Sequence, residues 1–94
     1  MKKNFCRVRF FEIDRGEGPE GRREIWVETV RKGKKNLFRL RPRSGTRYFL
    51  LEEVFGGTVS PERRLVDYIL KRALDRKVIP EGGKLIWAGD AKES

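Results

Sequence analysis

The sequence predicts an α+β domain: a four-stranded twisted antiparallel meander, one amphipathic helix packed on one face, and a short C-terminal strand. Three observations lead there. Apolar and polar residues alternate with the period of a strand in stretches between Asn4 and Leu51. Clusters of Gly, Pro, Asn and Ser separate those stretches. After residue 60 the apolar residues change to helical spacing. At 94 residues the chain has room for a single domain, 1–94, with residues 1–3 and 91–94 expected to fray. A core of that size is marginal, so a homodimer stays open.

The first strand falls in Asn4–Asp14, with Cys6, Val8 and Phe10 on one face and Phe5, Arg7, Arg9 and Phe11 on the other. The turn RGEGPEG, Arg15 to Gly21, follows. A second strand runs from about Arg23 to Val30, its faces Ile25, Val27, Thr29 and Glu24, Trp26, Glu28. Whether Trp26 is exposed or core is left open by this pattern. RKGKKN reads as a basic turn, and third and fourth strands span Leu37–Arg41 and Thr46–Leu51. PRSG between them carries hairpin turn chemistry. With a two-residue Ser44-Gly45 turn, Arg41 would lie opposite Tyr48, Arg39 opposite Leu50 and Phe38 opposite Leu51. Gly56-Gly57 is the expected hinge into the helix. Ser60 suits the N-cap, Pro61 the first helical position and Glu62 the positive end of the dipole. Leu65, Val66, Ile69, Leu70, Ala73 and Leu74 then form one apolar stripe. IPEGG turns the chain into a last strand, Lys84–Ala88.

Charge is the least evenly distributed property. Residues 29–51 hold eight Lys or Arg and no Asp or Glu, while 1–28 hold seven basic and six acidic residues and 52–94 hold eight of each. The chain has no Gln and only two Asn beside 39% charged residues, the slant of thermophile proteins stabilised by surface ion pairs. Such networks need both signs. They account for the two ends of the sequence but leave the middle to an anionic partner.

Nucleic acid fits that description. Lys32, Lys34, Lys35, Arg39, Arg41, Arg43 and Arg47, joined by Arg7 and Arg9, are the candidate phosphate contacts. Phe11, Trp26 and Tyr48 are the candidate stacking platforms, each worth about 1–3 kcal/mol per base. Single-stranded DNA or RNA, bound with low sequence specificity, is therefore the expected partner. A competing reading pairs Arg7 and Arg9 with Glu24 and Glu28 across strands. The rival function is a small protein-binding module or inhibitor that docks its basic hairpin on an acidic protein or a nucleic-acid-processing complex.

Other classes find less support. GEGPEG matches a glycine-rich phosphate loop in letters, but it leads into a strand and carries two Glu. The first strand, CRVRFFEI, lacks the glycines of the RRM aromatic signature. No His is present, and Cys6 is alone, which points to a small buried hydrophobe rather than a nucleophile or metal ligand. Catalysis would have to rest on carboxylates such as Glu52-Glu53, and no enzyme, cofactor or metal is expected. Arg7 and Arg9 break any apolar signal-peptide core, and the longest apolar run, Tyr48–Leu51, is too short to cross a membrane. A soluble, cytoplasmic protein is expected.

Overall fold

Residues 5–14, 23–57 and 61–90 are described in a computed structural model of the chain. The Arg15–Gly21 turn, Ser60 and the two termini lie outside them. Five strands and one helix form an α+β domain: β1 (Arg7–Asp14), β2 (Arg23–Arg31), β3 (Lys34–Pro42), β4 (Tyr48–Phe55), α1 (Arg63–Asp75) and β5 (Lys84–Trp87). The strands stand in the order β1-β2-β3-β4-β5. The first four pair antiparallel, whereas β5 runs parallel to β4. A parallel neighbour needs a crossover, and α1 supplies it. The first four strands form the expected antiparallel meander, and β5, added parallel at its edge, makes the sheet mixed.

Alternation decides the faces. Val27, Phe38, Leu40, Leu51 and Leu85 point to one side and close a core with Val66, Ile69 and Ala73 of α1. Trp87 stands edge-on to Phe38 there, at 6.1 Å and 86°. Cys6 is buried.

Two expected turns differ. RKGKKN is not a loop: only Lys32 and Gly33 turn, both at positive φ (53° and 80°), and Lys34 already pairs with Arg31. That is the mirror-image turn whose twist matches a two-residue hairpin. The β3–β4 connection is longer than expected. Arg43 N–H donates to the Tyr48 carbonyl at 3.0 Å, enclosing Ser44–Arg47. Thr46 belongs to this loop because its hydroxyl donates to the Arg43 carbonyl (2.7 Å) and accepts from Tyr48 N–H (3.1 Å). Arg41 consequently faces Leu50, Leu40 faces Leu51, and Arg39 faces Glu52, a two-residue shift from the expected pairing. A shift of two preserves which face each side chain occupies. It changes only the neighbours.

The helix begins later than expected. Glu62 is its N-cap, extended at ψ 144° and without a side-chain cap bond, and Pro61 precedes it. The Glu62 carboxylate is drawn instead to Arg31, 2.8 Å away. Its carbonyl still accepts from Leu65 and Val66 N–H.

Candidate nucleic-acid interface

The second face of the sheet carries no described helix. The strand registers place Arg7, Arg9, Phe11, Glu24, Trp26, Glu28, Lys35, Leu37, Arg39, Arg41, Tyr48, Leu50, Glu52, Lys84 and Ile86 on it, because directly paired residues share a face. Trp26 is thus on the open face, half-buried, opposite the core residues Ile25 and Val27. Phe11 lies beside it with ring centroids 6.2 Å apart, and the Arg9 guanidinium sits 5.4 Å from the Phe11 centroid.

Tyr48 joins that face but not that pair. It is four residues along β4 from Glu52, which pairs with Arg39, itself the partner of Trp26. Strand geometry puts it about 16 Å from Trp26.

Carboxylates from outside the basic segment thread through its centre. Arg39 Nε and Nη2 both donate to one oxygen of Glu52 (3.1 and 2.8 Å), and Nη1 donates to Glu24 at 3.2 Å. The hydrogen bond to Glu52 is the main reason the Arg39 pKa is raised further above its already high value. The second Glu52 oxygen meets Arg41 at 3.4 Å, and Glu28 meets Arg9 and Lys35, each at 3.4 Å. Glu24 also accepts from Trp26 Nε1 at 3.1 Å. Ion pairs that seemed impossible within 29–51 are therefore made across strands. The cross-strand pairing of Arg9 with Glu28 occurs as the competing reading had it.

The sequence-predicted cations now separate by environment. Arg39 has a side chain only 30% exposed and is held by two carboxylates; Arg9, Lys35 and Arg41 are paired at one point but remain 68%, 57% and 54% exposed. Lys32, Lys34 and Arg47 are exposed and make no ion pair among the described residues, and neither does Arg7. Arg43 adjoins the Arg47 loop. Two cationic ends result: Arg7, Lys32, Lys34 and Lys35 at the β2–β3 turn, and Arg41, Arg43 and Arg47 at the β3–β4 loop. Seven residues of β3 separate Lys34 from Arg41, about 23 Å.

Three contributors escaped the sequence reading. Glu52 was hidden by the register. Lys84 stands beside Tyr48 on β5. Phe55, 61% exposed, pairs with Leu37 only because a bulge intervenes, and nothing in LEEVF signals it, since strand parity would place Phe55 on the face of Leu51.

Comparisons with protein-family models, with curated proteins and with solved structures find no match.

Proposed function

We propose that this chain binds single-stranded DNA or RNA, with low sequence specificity, across the open face of its sheet. One observation carries the reading: exposed cations at both ends of β3 flank a half-buried aromatic pair, Phe11 and Trp26, on a face that no described helix covers. Phosphates meet Arg7, Lys32, Lys34 and Lys35 at one end and Arg41, Arg43 and Arg47 at the other. Bases stack on Phe11 and Trp26 between them, with Tyr48 as a second platform. Arg9 reaches phosphate from its place over Phe11, and Arg39 shapes the face rather than touching the ligand.

The test is a fluorescence-anisotropy titration of labelled single-stranded DNA, single-stranded RNA and duplex DNA over a salt series. It uses Trp87→Phe protein, which leaves Trp26 as the only indole. Single-strand binding that weakens steeply with salt, with Trp26 quenched, is expected; the slope reads about 0.7 per phosphate contact. Duplex preference without quenching would remove the stacking role.

A protein-binding module is the second reading, favoured by Val54 and Phe55, which expose apolar surface at the end of β4 (42% and 61%). Absence of binding to any nucleic acid at low salt, with retention on an acidic protein ligand, would select it.

A further inference from the structure

We propose that the open face favours bases bearing an exocyclic amino group, with Glu28 and Glu52 as the acceptors that select them. The inference rests on the nucleic-acid reading and adds base discrimination to it. Its starting point is that acids occupy the centre of a face whose ends are basic. Glu24 and Glu28 bracket Trp26 on β2, two residues to either side and on the same face, which is about 7 Å away along the strand. Glu52 lies across Arg39 on β4.

Those carboxylates decide how a strand lies. Phosphates approaching the centre meet carboxylates and cations that largely offset one another, while the ends add cations with no ion pair among the described residues, so the backbone is steered to the ends and the bases to the middle. A base stacked on Trp26 or Phe11 then has its edge beside a carboxylate. Glu24 is the least available, since it holds both Trp26 Nε1 and Arg39. Among the described residues Glu28 is met by two largely exposed cations, each at a single contact of 3.4 Å. Glu52 gives one oxygen to Arg39 and meets Arg41 with the other at 3.4 Å. An ionised carboxylate accepts at about four lone-pair positions, so capacity remains on both.

A carboxylate only accepts. Cytosine N4, adenine N6 and guanine N2 present amino hydrogens to it. Thymine and uracil have no amino group, and their single ring N–H is flanked by two carbonyl oxygens that a carboxylate repels. Cytosine against thymine is the clean comparison, because both are single-ring pyrimidines with similar stacking surfaces.

The experiment titrates labelled oligo(dC) and oligo(dT) of equal length at one salt concentration, with the protein and with Glu28→Gln and Glu52→Gln. We expect oligo(dC) to bind about tenfold more tightly than oligo(dT). Each Gln variant should bind both oligomers more tightly, because a repulsive charge is gone and its cations are released, while the dC/dT ratio falls toward one. Glutamine loses the preference because its amide donates to a thymine carbonyl as readily as it accepts from cytosine. Equal binding of the two oligomers by the unaltered protein overturns the inference and leaves nucleic-acid binding standing. So does a ratio that survives both substitutions. Failure to bind either oligomer even at low salt overturns the nucleic-acid reading itself, and this inference with it.

Discussion

Arg39 sits at the centre of the most basic stretch of the chain, yet its three donor contacts all end on Glu24 and Glu52. A planar guanidinium can hold two carboxylates at once; a lysine ammonium is a single point and cannot reproduce the fork. Arg39→Lys should therefore cost about 1–2 kcal/mol in urea unfolding, and Arg39→Ala, which removes the charge as well, should leave the salt slope of binding unchanged. A shallower slope with unchanged stability would make Arg39 a phosphate contact after all. Cys6 makes a different case. Burial raises its thiol pKa, opposed by a smaller pull from Arg31. A group raised on folding contributes stability that is complete below its unfolded value and is lost as pH climbs toward the folded one. The stability gap between the protein and Cys6→Ala should accordingly shrink as pH rises from about 8 to about 10. Unfolding curves at several pH values measure it, and a gap that widens would contradict the burial.

At the scale of elements, the β2–β3 turn shows local strain beside a charge. Lys32 occupies positive φ without being Gly or Asn, a conformation that costs an ordinary residue about 1 kcal/mol. Lys32→Asn should raise stability by roughly 0.5–1 kcal/mol, since Asn-Gly is a preferred pair for this turn, and should weaken single-strand binding by one phosphate contact. Urea unfolding and a salt titration read the two effects separately. Gly56 poses the opposite constraint: its φ is 125° and a Cβ there would run into the Asn36 side chain, so Gly56→Ala should lower the melting temperature. These turns also mark where sequence reasoning stopped. The period of two gave the two faces of β1 to β4 from Arg7 to Leu51, including that of Arg39, because face depends only on parity. It left Trp26 open and misplaced Phe5, which precedes β1 and packs on Tyr68 and Arg64 of α1. Register depends on loop length, and the Thr46 hydroxyl lengthened the β3–β4 loop by capping Arg43 rather than entering the strand. That alone put Glu52 opposite Arg39 and hid the central ion pairs. The late start of α1 has a similar origin, since the Glu62 side chain pairs with Arg31, thirty-one positions away, and no local propensity reports such a pairing.

Across the whole molecule, a formal charge of +9 is not spread over a uniform surface. Acids from β2 and β4 neutralise much of the sheet centre, and the excess is displaced to the two ends of the β2–β3–β4 hairpins. Phosphate affinity should then rest most on the cations that make no ion pair among the described residues, and less on Arg9, Lys35 and Arg41, whose glutamates offset them. Lys32→Ala, Lys34→Ala and Arg47→Ala combined should reduce the slope of log affinity against log salt by about 2, since each phosphate left unneutralised on a single strand lowers it by roughly 0.7. Trp26 quenching at saturation should persist, because none of the three lies near the aromatic pair. Their removal should also leave stability close to unchanged, since exposed cations without ion pairs hold nothing together in the fold. The matched control is Arg9→Ala, Lys35→Ala and Arg41→Ala, which removes the same formal charge from the ion-paired set. If net charge alone governed binding, both triples would lower the slope equally. If the cations without ion pairs govern it, the first triple lowers the slope more, because those of the second are already engaged by Glu28 and Glu52, and in the second stability falls as well. Titrations of both triples against one oligomer, with unfolding curves alongside, separate a located binding surface from a diffuse positive field.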